Sequence, residues 1–417
     1  MISKKFKFAC ITIVLIISII SASFCFASDS LYVWSNGSNS IKNTSNSNNS
    51  VLTSASINND NSLKLESGSA ILIEQSSGNV LYAHNIHEQL RPASVTKVMS
   101  LLLIMEALDS NQISLDTPIP CSENAHSMGG SQIWLDTKET LTVNDMLKSI
   151  CVVSANDCTV AMAEYLAGSE EAFVQKMNER AKALGMNDTC FKNCHGIDED
   201  GHVTSAYDIA IMSRELLLNH PNIQKYTTIW MDSIRDGKSQ LVNTNKLIRN
   251  YKGATGLKTG STSVALYNLS ASATRDNLSL IAVIMKAPST KIRFAEATKL
   301  LDYGFANYSC KSFGSKNDVV TQVSINKSIE KNVDLILEKD ANILLKKGQN
   351  SNIEQNIVLN DNLSAPINKG TVVGKVVYTS SNEQLLEVNL LAKNDIHQMT
   401  LWNLTTSLYE RWFNVLR

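Results

Sequence analysis

No charge of either sign dominates this chain. In 417 residues, 38 Lys and Arg stand against 39 Asp and Glu, so the basic surface that nucleic acid selects is not written into the composition. No H-E-x-x-H helix is present to hold a catalytic zinc. The eight cysteines are scattered rather than packed into the framework of a small disulfide scaffold. Cys190 and Cys194 with His195 and His202 read C-x3-C-H-x6-H, which fits no usual structural zinc spacing, so neither a metal nor any other cofactor is expected. The most apolar run is shorter than the roughly 20 residues that cross a bilayer. What is present is ordinary for a globular protein: 43% hydrophobic and 18% charged residues, with room for two or three domains.

The ends of the chain differ from its middle. Lys4, Lys5 and Lys7 precede an apolar run from Phe8 to Ile20, and small residues then lead to Ala27; residues 1–27 read as a secretory signal peptide cleaved after Ala27. Phe24 is too bulky for the small residue expected before a lipidated Cys25. The remaining chain carries 35 basic against 39 acidic residues and six cysteines, Cys121, Cys151, Cys158, Cys190, Cys194 and Cys310. Residues 28–64, rich in Asn and Ser, cannot bury enough apolar surface to fold alone and read as a flexible spacer.

Order is expected from Leu65. "SAILIEQSSGNVLYAHN" places two strand-like runs around the turn formers Ser76 to Asn79. A long helix starts near Ser94, and from Thr142 to Leu217 the apolar residues recur at helical spacing. After Lys246 the pattern returns to strands, and "KIRFAEATKLLDYGFANY" restores a helix. The expected class is therefore α+β: an antiparallel sheet flanked by helices with an inserted helical lobe over residues 65–312. Residues 313–392 hold six short strand candidates and read as a small β-sandwich. Residues 393–417 read as an amphipathic helix. Thr400, Asn403, Ser407, Glu410, Arg411 and Asn414 share one arc, and Leu401, Trp402, Trp412 and Phe413 stand among the apolar residues of the rest, which favours a peripheral seat in a membrane interface.

The chemistry centres on "RPASVTKVM". A serine hydroxyl attacks only if something removes its proton, and a lysine can do so only when burial or a neighbouring cation keeps it neutral. Ser94 and Lys97 are one helical turn apart and face the same way. Such a pair alone is a weak signal, since Ser324 with Lys327 and Ser328 with Lys331 match it too. Two further elements add weight: Ser154-Ala155-Asn156 lies 60 residues on, and Lys258-Thr259-Gly260 lies 104 residues beyond that, on a strand-like run. S-x-x-K, S-D-N and K-T-G in this order form the signature of penicillin-binding proteins and class A β-lactamases, and Ser154-Ala155-Asn156 stands in the place of the second.

The likeness extends past the motifs. "GSQIWLDTKETLTVNDMLKSICVVSANDC", "HVTSAYDIAIMSREL", "NTNKLIRNYKGATGLKTGST" and "KIRFAEATKLLDYGF" resemble the D-alanyl-D-alanine carboxypeptidases among the low-molecular-mass penicillin-binding proteins, over residues 66–310. The β region with "APINKGTVVGKV" and the terminal helix resemble that family's C-terminal module and membrane anchor. The resemblance implies Ser94 as the acylated nucleophile, Lys97 as its base, Ser154 as a proton relay and Asn156 as a hydrogen-bonding support. It also implies a carboxylate clamp at Lys258 and Thr259, an unobstructed strand edge at Gly260 so that substrate can lie there, and an oxyanion site from the N–H groups of Ser94 and Ser261. Peptidoglycan stem peptides and β-lactams are the partners so implied, at the outer face of the cell membrane. Ser-Ala-Asn replaces the commoner Ser-Gly-Asn, and Thr255 stands where the family often carries Asp.

Two other readings share these residues. A β-lactamase requires fast deacylation, and the water-orienting carboxylate pattern E-x-x-L-N is not expected between Ser154 and Lys258. A catalytically silent wall-binding or β-lactam-sensing module would not require the full set of chemical residues. His202, Thr204, Ser205 and Asp208 read as structural, the last two as a helix cap.

Overall fold

The computed structural model describes residues 63–330, 332–348, 352–381 and 383–406. The expected signal peptide, nearly all of the spacer and residues 407–417 of the expected terminal helix lie outside the described residues.

Strands β1 (Ser69–Glu74) and β2 (Val80–His84) form the hairpin expected at Ser76 to Asn79. The Glu74 carboxylate organises the turn by accepting Ser76 N at 2.9 Å and Ser76 Oγ at 2.8 Å. All of β1 is buried, because its alternate side chains feed two cores: Ile71 and Ile73 one, Ala70 and Leu72 the other. A strand covered on both faces reads as an unbroken apolar run, which is how it appears in the sequence.

A 3-10 turn, Ala93–Thr96, leads directly into α1 (Lys97–Asp109). The helical lobe follows: β3 (Pro118–Pro120), α2 (Glu123–His126), β4 (Thr140–Thr142), α3 (Val143–Val152), α4 (Asn156–Ala167), α5 (Glu170–Ala183) and α6 (Ala206–Asn219). The starts of α2, α3, α5 and α6 are fixed by side-chain caps: Ser122 accepts from Ala125 N, Thr142 from Asp145 N, Ser169 from Ala172 N and Ser205 from Asp208 N. Next come α7 (Gln224–Thr227), a hairpin of β5 (Met231–Ile234) with β6 (Ser239–Val242), and α8 (Leu247–Asn250). The chain then returns to the main sheet through β7 (Ala254–Thr262), β8 (Leu266–Arg275) and β9 (Leu278–Ala287), and α9 (Thr290–Asn307) closes this part.

The main sheet is antiparallel in the order β2-β1-β9-β8-β7, with β7 at an edge. One face packs Leu72, Leu280 and Ile284 against Ala297, Leu300 and Leu301 of α9. The opposite face packs Ile71, Ile281 and Val283 into the core shared with α1 and α6. This is the expected α+β architecture of a sheet between helices with a helical lobe inserted.

In the C-terminal part, β10 (Tyr308–Ser312) pairs with β13 (Asn342–Lys346). A five-stranded antiparallel sheet runs in the order β11 (Val319–Val323), β12 (Val333–Leu337), β16 (Glu383–Ala392), β15 (Val372–Ser380), β14 (Glu354–Leu359). Leu335, Ile343, Val376, Tyr378 and Leu390 form its core, joining both ladders. Every one of the six strand-like runs became a strand. Beyond them, residues 401–406 are helical, with Leu401 82% and Trp402 78% exposed.

Candidate active site

Ser94 stands in the middle of the 3-10 turn rather than at the head of an α-helix, and Lys97 is the first residue of α1. The turn is held from behind. Thr96 Oγ1 donates to Ala93 O at 2.8 Å and lies 2.8 Å from His202 Nε2. Because His202 Nδ1 accepts Lys192 N, the Nε2 carries the proton and donates to Thr96. Gly196, at φ +94, passes so close that a Cβ there would fall 1.9 Å from Ala93 O. Ala93 itself is held at φ 49, a region that L residues seldom occupy.

Lys97 is completely buried, with its Nζ 2.6 Å from Asn156 Oδ1, 2.7 Å from His195 O and 3.1 Å from Ser94 Oγ. Burial first, then the positive charge of Lys258, push its pKa well below the ordinary lysine value of 10.5. A neutral amine has two N–H groups and one lone pair. Two of the three neighbours, Asn156 Oδ1 and His195 O, can only accept, so they take the two N–H groups. In an amine so deprotonated the lone pair would face Ser94 Oγ, the one neighbour with a proton to give.

The Asn156 amide is oriented for this contact. Its Nδ2 donates to Gly129 O at 2.7 Å, which leaves Oδ1 toward Lys97, and its backbone N donates to Ser131 O at 2.7 Å. The neighbouring Asp157 carboxylate accepts Ile133 N at 3.0 Å and Leu135 N at 3.1 Å, so the segment before α3 is strapped across the start of α4. Ser154 joins α3 to α4 at φ 66. Its hydroxyl is buried and has no hydrogen-bond partner among the described residues.

Lys258, Thr259, Gly260 and Ser261 lie on the edge strand β7, which packs against the 3-10 turn. Lys258 Nζ donates to Thr259 O at 2.9 Å, and burial lowers its pKa to about 7. Thr259 Oγ1 lies 2.7 Å from Thr244 Oγ1. Ser261 is exposed. The expectation for Gly260 needs correction: a Cβ there would stand 2.9 Å from Pro92 O, Ser94 N and Val95 N. The room left by the missing side chain is filled by the nucleophile turn, not held open for substrate.

The β-lactamase test also needs correction. Glu215-Leu216-Leu217-Leu218-Asn219 does match E-x-x-L-N. Its carboxylate is engaged, however, by Arg180 Nη2 at 2.6 Å, on a guanidinium that also binds Glu106. Among the described residues no group of three or more His, Cys, Asp or Glu could hold a metal ion. Ser205 caps α6, Thr204 Oγ1 lies 2.8 Å from Thr189 Oγ1, and Asp208 accepts Thr189 Oγ1 at 2.6 Å, so this cluster is structural.

Four contributors escaped the sequence. The His195 carbonyl carries no side-chain signal. Thr244 faces Thr259 from a segment without a motif. Arg293, on α9, donates Nη1 to Gly260 O and Asn268 O, both at 3.1 Å. Asn268 donates Nδ2 to Arg91 O at 2.8 Å.

With this geometry in hand, comparison with known proteins is decisive. The family model described as D-alanyl-D-alanine carboxypeptidase matches residues 54–289. The chain belongs to the D-alanyl-D-alanine carboxypeptidase family. A second model, penicillin-binding protein 5, C-terminal domain, matches residues 308–398. The D-alanyl-D-alanine carboxypeptidase DacF of Bacillus subtilis is 46% identical over 335 residues, covering 79% of this chain and 86% of that protein. Among solved structures, penicillin-binding protein 5 of Haemophilus influenzae superposes with a TM-score of 0.67 at 32% identity, over 80% of this chain and 98% of that one. Penicillin-binding protein D2 of Listeria monocytogenes in its ampicillin-bound form gives a TM-score of 0.54 at 30% identity, over 58% of this chain and 99% of that one. The two family models between them cover the catalytic part and the β module found here.

Proposed function

We propose that this chain is a serine-type D-alanyl-D-alanine carboxypeptidase that removes the terminal D-alanine from peptidoglycan pentapeptide stems through an acyl-enzyme on Ser94. The same serine takes penicillin covalently. The observation that carries the reading is the three-way contact of the buried Lys97 Nζ with Ser94 Oγ, Asn156 Oδ1 and His195 O.

In acylation the Ser94 proton passes to Lys97 Nζ as Oγ bonds to the carbonyl carbon of the penultimate D-alanine. The oxyanion that forms is met by the backbone N–H groups of Ser94 and Ser261. The C–N bond then breaks, and the departing D-alanine amine takes up the Lys97 proton relayed through Ser154, whose buried hydroxyl has no other partner among the described residues. Asn156 keeps Lys97 aimed throughout. Water attacks the Ser94 ester with Lys97 again as base, returning the serine and releasing the shortened stem. Lys258 and Thr259 hold the terminal carboxylate, which an internal peptide bond lacks, so exopeptidase choice follows from the clamp.

Brief exposure to penicillin followed by peptide mass spectrometry tests the assignment. One adduct on Ser94, absent in Ser94→Ala, is the expected result; an adduct on another residue overturns it. Rapid β-lactam turnover would favour the β-lactamase reading instead.

Work on peptidoglycan places the enzyme at the cell wall, outside the cytoplasm. Residues 1–27 serve as the export signal, 28–64 as spacer, 65–312 as the catalytic domain, 313–392 as the β module and 393–417 as a peripheral membrane anchor. The exposed Leu401 and Trp402 support the anchor. A chain ending at Asn394 should lose sedimentation with lipid vesicles, and retained sedimentation counts against the anchor.

A further inference from the structure

Asn268 lies on β8, fully buried, directly opposite Gly260 of β7 in the strand register. The β8–β9 pairing is irregular beside it, with Tyr267 opposite Ala287 but Leu269 opposite Ile284. At this irregularity Lys286 adopts φ 57, and its N–H is taken by Asn268 Oδ1 at 2.8 Å. A residue that only filled the bulge would need no more than that acceptor. Asn268 also reaches out of the sheet: its Nδ2 donates to Arg91 O at 2.8 Å, across 177 residues of sequence. Arg91 stands three residues before Ser94.

The nucleophile turn therefore has two attachments to the sheet at the same level. It rests by close backbone contact on Gly260, and it is tied by the Asn268 side chain to the neighbouring strand. Arg293 Nη1 bridges the carbonyls of both sheet residues. Contact with Gly260 stops the turn from moving inward, and the Asn268 bond is the side-chain tie from β8 that opposes its lifting away. Ser261, the other oxyanion donor, follows Gly260 directly on β7, so the spacing of the two donors depends on how the turn is seated.

We propose that Asn268 is a positioning residue for the oxyanion site, setting the Ser94 N–H against that of Ser261 by anchoring Arg91. This rests on the acyl-enzyme reading of Ser94 and Ser261. Loss of the tie leaves substrate binding intact and weakens the tetrahedral state, because donors fixed in advance stabilise developing charge and displaced ones do not.

The test uses the full chain with Asn268→Asp, Asn268→Ala and, as control, Ser270→Ala. Asn268→Asp keeps an acceptor for Lys286 N but turns an oxygen toward Arg91 O. Ser270 lies two residues on along β8, and its replacement removes a buried bond to Ser213 Oγ without touching the turn. For each, kcat and KM on a D-alanyl-D-alanine peptide, affinity for a boronic acid analogue that forms a tetrahedral Ser94 adduct, and Tm are measured. Both Asn268 variants should lose at least about tenfold in kcat with KM within about threefold, and lose boronate affinity in parallel. Ser270→Ala should retain kcat at a comparable loss of Tm. The proposal is overturned if kcat in the Asn268 variants merely tracks Tm as in the control, if KM moves instead of kcat, or if neither variant yields folded protein. Penicillin labelling of the wild type separates the two levels. A missing Ser94 adduct defeats the nucleophile assignment itself, whereas a normal adduct with unaffected Asn268 variants defeats only the positioning role.

Discussion

A Cβ on Gly260 would stand 2.9 Å from the backbone nitrogen of Ser94, closer than real Cβ atoms come to other heavy atoms. The glycine of Lys-Thr-Gly is thus a joint between the edge strand and the nucleophile turn. Gly260→Ala must displace one of them. Overpacking of this kind costs about 1–3 kcal/mol of stability, and a misplaced nucleophile costs about a hundredfold in rate. Acylation by penicillin, followed by stopped-flow fluorescence, should slow by that order while the fold persists in circular dichroism; a rate within a few-fold of wild type would show that the joint is compliant.

The charge of Lys258 is, after burial, a cause of the lowered pKa of Lys97. On the proposed mechanism turnover needs Lys97 without its proton and Lys258 with one, and burial lowers the pKa of Lys258 to about 7. For a peptide with a free terminal carboxylate, kcat/KM should fall as pH rises above about 7 and the clamp loses its charge. In kcat, with the carboxylate already bound, the decline moves to higher pH. A substrate whose terminus is amidated has nothing to gain from the ammonium and should show no such limb, and Lys258→Arg should remove it for the acid as well. An identical alkaline limb for acid and amide would rule out a charge-dependent clamp.

Ser154 offers a separation of stability from activity. Its hydroxyl is buried at φ 66 without a partner, and leaving such a group unsatisfied costs about 1–3 kcal/mol. Ser154→Ala should therefore match or exceed the wild type in thermal stability while losing D-alanine release by about a hundredfold or more, the scale of general acid–base assistance. A drop in Tm together with activity would instead make the hydroxyl structural.

How much of this was readable in advance depended on what each residue contributes. Ser94, Lys97, Ser154, Asn156 and Lys258, the side chains of the proposed mechanism, stand in motifs whose order along the chain was enough to single them out. The main-sheet strands β1 and β9 were legible as apolar runs and β8 as a β-suited run with polar breaks, although burial on both faces of β1 and β9 erased the alternation that a half-exposed strand would show. The hairpin of β5 and β6 was missed, despite Asp236-Gly237 between two strand-suited runs, because four-residue strands give little period to count. The role of Gly260 was misread because a glycine does not say which neighbour needs its space. His195, Asn268 and Arg293 act through backbone carbonyls over separations of 98, 177 and 33 residues, and no local pattern encodes contacts at that range.

The last expectation concerns the linkage between Lys97 and folding. In the native state the group is held well below 10.5, whereas in the unfolded chain it titrates normally. Between those two values the unfolded state binds one proton more than the native state, so this lysine makes stability rise with pH by about 1.4 kcal/mol per unit. Lys97→Met preserves the volume and removes the proton linkage, but strands Asn156 Oδ1 and His195 O, so the sign of its stability change at any single pH is a contest between two terms. The pH slope is not. Lys258 is present in both proteins, so urea unfolding at pH 7, 8 and 9 should show the wild type gaining on Lys97→Met as pH rises toward the ordinary lysine value. Parallel curves would mean that Lys97 is protonated in the folded enzyme, and a protonated amine has no lone pair with which to accept the serine's hydrogen.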